Sequence, residues 1–383
     1  MSDRNRRPLS IAMVCYPTYG GSGIVATELG QALAERGHTV HFVCYNQPAR
    51  LRGLGGTVHF HPVDVITYPL FKFPPYTLAL ASRLARIITE EGVDLIHVHY
   101  AIPHTLAAQT ARDMTGRNDL PLVTTLHGTD VQLVGLDPSY RDITRWLMER
   151  CCTLTAVSRY LADTTEREFA LTRRIETIHN FVDLARFRRR EDRRLRRRLA
   201  PGGEKIVIHV SNFREVKHTT DVVRAFNRIR KAVPSVLVMI GEGPDRPATE
   251  ALAKRLGIDD LVRFVDFVPG VERWLGTSDL LLLPSSMESF GLAVLEAMAC
   301  QTPALAYRVG GLPEVVGDGE GGILVDPGDW RAMADEGIAI LSDPARWTEL
   351  GNLGRARAAR CFDRERMVGV YEALYRRILG PPG

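Results

Sequence analysis

Hydrophobic residues fall in short unbroken runs separated by amphipathic stretches along the whole chain. Ser10 to Cys15, Val40 to Cys44, Asp94 to His99, Leu122 to Leu126 and Thr153 to Val157 read as strands. Between the first two, Ala26, Leu29 and Leu33 share one face of a helix over Ala26 to Arg36, and Gly37 stops it. A second series follows at Lys205 to Val210, Val236 to Ile240, Val262 to Val265, Leu280 to Leu283, Ala304 to Ala306 and Ile323 to Val325. Strand runs alternating with helical periods predict an α/β protein with parallel sheets covered by helices. The two series flank Asn180 to Glu204, which predicts two domains, 1–180 and 181–363. A last helix over Arg364 to Leu379, within the segment 364–383, is expected to cross back onto the first domain.

Length agrees with this division, since 383 residues suit two domains of roughly 150 to 200 each. Hydrophobic content of 45% and charged content of 25% are ordinary for a globular protein with a full core. The net charge of +4 is too mild to select a partner. No apolar run approaches the roughly 18 residues that span a membrane. Ile11 to Cys15 is too short for a signal segment and is followed by Pro17 and glycines. The expectation is a cytoplasmic protein with neither a membrane nor a nucleic acid as partner. The arginine run from Arg186 to Arg198 could be an anion-binding patch, but it lacks interleaved aromatics. A solvated helical face is the better reading. None of the six cysteines forms a C-x-x-C pair, so buried free thiols are expected rather than disulfides or zinc ligands.

Gly20-Gly21-Ser22-Gly23 follows the first strand, and Gly21 to Ala26 matches the G-x-G-x-x-A dinucleotide fingerprint. A nicotinamide cofactor needs an acidic residue at the end of the second strand, where this chain has Cys44-Tyr-Asn-Gln47. The loop suits a pyrophosphate or a carboxylate-bearing acceptor, or is a plain tight turn. His97 and His99 face one side of a strand without a third ligand, which favours satisfied polar positions over a metal site. Tyr100 to His104 and Thr124 to Asp130 sit at strand C-terminal ends, where open α/β sheets bind ligands. His127 and Asp130 are either an acid/base pair or groups that orient substrate hydroxyls.

Ser211 to Lys217 brings Asn212, Arg214 and Lys217 to the end of another strand. Gly241-Glu-Gly243 and Gly310-Gly311 suit close backbone approach, or are turns. No D-x-D occurs, so no metal site and no cofactor are expected. Charge on a leaving diphosphate would then be neutralised by side chains and helix ends. The densest signal is Glu288-Ser-Phe-Gly-Leu-Ala-Val-Leu-Glu296. Asp279 to Pro284 reads as a buried strand and Gly291 to Cys300 as a helix, with Glu288 on the loop and Glu296 in the first turns. Backbone N–H groups around Phe290 to Leu292 would point at a ligand.

Lys217 with Glu288-x₇-Glu296 resembles the retaining glycosyltransferases of family 4 over essentially the whole chain. Their GT-B fold sets two Rossmann-like domains facing across a cleft. Cys15 to Gly23, His97 to His104, Thr124 to Asp130, Gly135 to Ser139 and Ser211 to Arg214 narrow the resemblance. They are similar to members that pass N-acetylglucosamine from UDP to the hydroxyl of L-malate, the first step of bacillithiol synthesis. The resemblance implies UDP-GlcNAc and L-malate as small-molecule substrates. It implies catalytic roles for Lys217, Glu288 and His127, the last contacting the donor sugar. Glu296 would hold the ribose, and Glu288 with Phe290, Gly291 and Leu292 the sugar and diphosphate. Lys217 would neutralise the diphosphate, and Gly21 would approach it from the other domain. Ser22, Tyr100 and Thr124 match acceptor positions, and Arg145 is added because a malate dianion needs a cation.

Two positions depart from the family pattern. Asn212 stands where many relatives carry Arg, so Arg214 is the substitute. Gln301 replaces a helix-ending Gly, at a cost on the order of 1 kcal/mol. The same chemistry on an inositol phosphate or a lipid, a UDP-GlcNAc epimerase and a non-catalytic nucleotide-binding module remain as alternatives. A homo-oligomer is compatible with the sequence.

Overall fold

The computed structural model describes residues 7–18, 20–317 and 319–380. The chain divides into two compact units, one formed by Met1–His179 with Glu365–Gly383 and the other by Asn180–Arg364.

The sheet of the first unit has seven parallel strands, β1 (Ser10–Val14), β2 (Thr39–Cys44), β3 (Val58–Pro62), β4 (Leu95–His99), β5 (Leu122–Leu126), β6 (Thr153–Ala156) and β7 (Glu176–Thr177). Their order is β3-β2-β1-β4-β5-β6-β7. The connections carry α1 (Gly21–Glu35), α2 (Tyr76–Glu90), α3 (Leu106–Thr115), α4 (Arg141–Arg150) and α5 (Arg159–Glu168). Parallel pairing requires such crossovers, and helices on both faces bury the central strands completely. Hence β1, β4 and β5 are buried without alternation, and β4 and β5 carry His97, His99, Thr124 and Thr125 as buried polar residues. The helix expected from Ala26 begins at Gly21, because the glycine loop already forms its first turn.

The sheet of the second unit has six parallel strands, β8 (Lys205–Val210), β9 (Ser235–Ile240), β10 (Val262–Val265), β11 (Leu280–Leu283), β12 (Ala304–Tyr307) and β13 (Gly322–Val325). Their order is β10-β9-β8-β11-β12-β13. Its helices are α6 (Arg193–Leu199), α7 (Thr219–Ala232), α8 (Arg246–Arg255), α9 (Val271–Thr277), α10 (Leu292–Ala299), α11 (Leu312–Val316), α12 (Trp330–Ser342) and α13 (Pro344–Phe362). Val207, Phe226, Leu237, Leu282 and Leu305 pack in one core against Met333 and Ile340 of α12.

The arginine run is in part the solvated helical face expected of it, with Arg193, Arg194, Arg197 and Arg198 exposed on α6. Asp192 caps α6 by accepting from the N–H of Arg194 and Leu195, both at 3.0 Å. Leu195 and Leu199 are buried. Arg196 pairs with Asp279 at 3.0 Å, and Arg186 with Glu272 at 3.0 Å. Asp279 also accepts from the N–H of Ile206 at 2.7 Å. Arg186 and Arg196 thus strap this segment to α9 and the sheet, while the remaining α6 arginines face solvent.

After α13 the chain returns to the first unit through α14 (Arg364–Leu379), whose Val368, Tyr371, Leu374 and Tyr375 are buried. The last residues of the expected segment, 381–383, lie outside the described ones. All six cysteines are free, with Cys15, Cys44, Cys151 and Cys300 buried and Cys152 exposed. Among the described residues no helix is long and apolar enough to cross a membrane.

Candidate active site

In the second unit the loops after β8 and β11 are stitched together. A single 3₁₀ turn, Glu215–Lys217, follows β8, and the N–H of Ser286 donates to the Val216 carbonyl at 2.9 Å. This brings Lys217 Nζ to 2.5 Å from Glu288 Oε2, with side chains 19% and 16% exposed. The Glu288 backbone is fixed as well, since its carbonyl accepts from the Gly311 N–H at 2.9 Å. A Cβ at Gly310, where φ is +57°, would overlap that carbonyl oxygen. The glycine pair therefore serves close backbone approach.

Gly291, at φ +100°, turns the chain into α10. The first N–H groups of a helix have no carbonyl one turn back, so Leu292 and Ala293 offer donors there. The helix end also favours negative charge. Phe290 is buried and meets Phe362 edge-on at 5.6 Å. Glu296 stands in the second turn, 6% exposed. Asn212 is half-buried, and Arg214 is exposed just before the 3₁₀ turn. Gly241 and Gly243 let the neighbouring loop approach the backbone of Ser211 and Phe213, where a Cβ would overlap their carbonyls.

Sequence reasoning missed His209. Its Nδ1 lies 2.8 Å from the Leu282 carbonyl and must donate to it, so Nε2 accepts from the Ser211 hydroxyl at 2.6 Å. Burial pushes its pKa down to about 4, which keeps the ring neutral. It thereby holds the start of the Ser211–Lys217 loop, and the His209-x-Ser211 alternation on one strand face was the available signal.

In the first unit Gly21 is the exposed first residue of α1, and Ser22 Oγ donates to Tyr100 Oη at 3.3 Å. The Tyr100 ring stacks on His127, with centroids 5.7 Å apart and an interplanar angle of 22°. His127 Nε2 lies 2.9 Å from His99 Nδ1. Burial pushes the His127 pKa down to about 3, so its imidazole is neutral near pH 7. Tyr100 holds φ +90°, a strained conformation for a residue with a Cβ, and such strain concentrates at functional positions. The structure thus brings Ser22, Tyr100 and His127 together.

Asp130 bonds backbone N–H groups rather than the His127 ring. It is buried, and its oxygens accept from the N–H groups of Ala101 at 3.0 Å, His127 at 3.1 Å and Gly128 at 2.8 Å. Burial raises its pKa, against these bonds. It ties the loop after β5 to the loop after β4. Thr124 is fully buried beneath Tyr100, with its hydroxyl 3.0 Å from that of Thr105, which also donates to the Tyr100 carbonyl at 3.4 Å. Arg145 is exposed on α4 and makes one long bond, 3.4 Å, to the Ala170 carbonyl. It is not drawn into the Ser22–Tyr100–His127 group. His97 bonds Tyr375 Oη and Thr125 Oγ1, each at 2.7 Å, the satisfied position expected of it.

Residues 19–186 match the profile of Glycosyltransferase Family 4, and residues 191–357 that of Glycosyl transferases group 1. The chain is 42% identical over 372 residues to the N-acetyl-alpha-D-glucosaminyl L-malate synthase of Bacillus anthracis, covering 97% of each chain. It is 30% identical to the D-inositol 3-phosphate glycosyltransferase of Kribbella flavida, over 87% of this chain and 85% of that one. Among solved structures, sucrose-phosphate synthase from Thermosynechococcus elongatus superposes with a TM-score of 0.81 at 24% identity, over 97% of this chain and 99% of that one. That likeness shows the fold, which is GT-B. The chain is a group 1 glycosyltransferase and belongs to glycosyltransferase family 4.

Proposed function

We propose that the protein transfers N-acetylglucosamine from UDP-GlcNAc to the hydroxyl of L-malate, with the α configuration retained, in the cytoplasm. The observation that carries a transferase reading is the Lys217–Glu288 pair beside the N-terminus of α10. A cation, a carboxylate and helix N–H groups together can hold a diphosphate and its sugar. The malate assignment rests on the 42% identity with the Bacillus anthracis synthase.

In this reading Lys217 takes up charge on the leaving UDP, with Asn212 and Arg214 beside it. Glu288 holds the sugar through its hydroxyls, and Glu296 holds the ribose. Phe290, Gly291 and Leu292 present the helix start to the phosphates, and Gly21 offers a second glycine approach to them. Neutral His127 contacts the donor sugar as a hydrogen-bonding group. Ser22 and Tyr100 form the acceptor pocket and Thr124 is its floor; Arg145, bonded on α4 to the Ala170 carbonyl, would have to leave that bond and swing toward the pocket to meet the malate dianion. No side chain is assigned as a covalent nucleophile. The departing phosphate accepts the malate hydroxyl proton as the new bond forms on the face that UDP leaves. The reaction is proposed to run without a metal.

UDP release from UDP-GlcNAc, measured with and without L-malate and with mass detection of the conjugate, tests this. Malate-dependent release with a GlcNAc–malate product is expected. Release that depends on an inositol phosphate instead would move the acceptor to that of the Kribbella flavida relative. Isomerisation without acceptor would indicate an epimerase.

A further inference from the structure

The edge of the first unit's sheet gathers chemistry that the transferase reading does not use. His41 on β2 and His59 and His61 on β3 share one sheet face, because the register sets His41 beside His59 and His61 lies two residues on. Glu91, the residue that ends α2, comes to the same place. One donor atom from each of His41, His61 and Glu91 lies within 4.8 Å of the others. His41 is buried, His61 half-buried and Glu91 exposed, which leaves an ion access from one side.

We propose that His41, His61 and Glu91 form a binding site for a divalent transition-metal ion of the zinc class. Two imidazoles and a carboxylate suit Zn²⁺, Co²⁺ or Ni²⁺ rather than Mg²⁺ or Ca²⁺, which take all-oxygen shells. His41 Nδ1 and His61 Nε2 are 3.0 Å apart. A tetrahedral ion with bonds of about 2.0–2.1 Å holds two such nitrogens roughly 3.3 Å apart, so a movement of a few tenths of an ångström admits it.

His41 is also held from behind, with Nε2 3.3 Å from Ser10 Oγ, as an orienting partner holds a metal-ligating histidine. The C-terminal end of α2 adds negative potential where a cation would sit.

One group opposes the ion. Arg83 on α2 reaches His61 Nδ1 at 3.4 Å, and its own buried Nε has no partner among the described residues. With Arg83 donating to Nδ1, the remaining ring proton of His61 sits on Nε2 and is shared with His41. Metal binding must turn Arg83 away, move that proton to Nδ1 and place the ion where the shared proton was. The charge of Arg83 therefore sets the affinity of the site. Bound there, the ion would clamp the β2–β3 edge to the end of α2.

The test uses full-length protein without an affinity tag, stripped with a chelator and titrated with Zn²⁺ and Co²⁺ near neutral pH. One ion per chain is expected, with a Co²⁺ visible spectrum of low coordination number and a melting temperature that rises with metal concentration. His61→Gln and Glu91→Gln should each weaken binding at least about tenfold, and Arg83→Gln should strengthen it. Circular dichroism confirms that the variants are folded, and Glu91, being exposed, gives a variant that does not depend on packing. Absence of stoichiometric binding, or binding that either ligand substitution leaves unchanged, overturns the site. The readout is metal affinity, so the outcome is independent of which acceptor the transferase uses.

Discussion

Lys217 and Glu288 are ion-pair partners at 2.5 Å through Oε2 alone, which leaves Oε1 and two further ammonium protons to meet a substrate. Lys217→Ala removes the charge that would meet the diphosphate and leaves Glu288 partly buried and unpaired. The expected result is a fall in kcat of about 10²–10³, read by initial rates at saturating UDP-GlcNAc. An unchanged kcat would remove Lys217 from catalysis. If Glu296 holds the ribose as proposed, Glu296→Ala should instead raise KM for UDP-GlcNAc with kcat little altered, because such a contact is made equally in ground and transition states. Gly310→Ala tests the backbone of the same site. Its Cβ would meet the Glu288 carbonyl at a positive φ, so the Glu288 loop must move. We expect a loss of about 1–3 kcal/mol in urea unfolding together with a marked loss of turnover. Turnover that survives would mean that the loop tolerates displacement. The strand, loop and helix start that carry Glu288 to Glu296 were legible because that motif is local in sequence. The part Asp130 plays was not, since its partners are backbone N–H groups, one of them on Ala101 in another loop.

Continuous apolar runs marked the central strands of both sheets because helices cover those strands on both faces. The edge strands β3 and β7 escaped the same reading. Val58–Pro62 is half-buried and polar at alternate positions, and Glu176–Thr177 is too short to carry a pattern. The arginine strap was illegible for a different reason. A charge run looks the same whether or not its partners exist, and Glu272 and Asp279 lie far along the chain. The end of α10 was read correctly from one residue, as Gln301 does adopt the left-handed φ of +57°. Its side chain bonds Asn352 Oδ1 at 2.7 Å, which offsets part of the strain. The return of α14 to the first unit rests on buried Val368, Tyr371 and Leu374 and on the bond from Tyr375 to His97. Tyr375→Phe keeps the ring and deletes that bond, leaving His97 Nδ1 buried without a partner. A loss of about 1–3 kcal/mol is expected from denaturant unfolding, with earlier hydrogen exchange in α14. A neutral result would show that apolar packing alone docks the helix.

Across the molecule, histidines are distributed unevenly between the two units, and that sets how each responds to acid. His41 and His104 are pushed down to about 4, His97 and His127 to about 3, and His99 well below its ordinary 6.5, in each case chiefly by burial. All of these belong to the first unit, whereas His209, pushed down to about 4, belongs to the second. A ring whose folded pKa is depressed stays neutral in the folded state while the unfolded chain takes up a proton below 6.5. The unfolded state then binds more protons, so stability falls as pH falls. The contribution is complete above about pH 6.5 and is lost progressively toward pH 3–4, at up to about 1.4 kcal/mol per pH unit for each ring. Urea midpoints at about pH 7.5 and pH 5.5 should therefore differ by more for the first unit than for the second. Peptide-resolved hydrogen exchange assigns the loss, and β4 and β5 should lose protection before β8 and β11. Their neighbours on the sheet share those buried rings through His97, His99 and His127, so the opening should spread as one unit rather than as a fraying edge. Equal acid sensitivity in the two units would show that these rings find water or partners on protonation that the folded arrangement does not offer them.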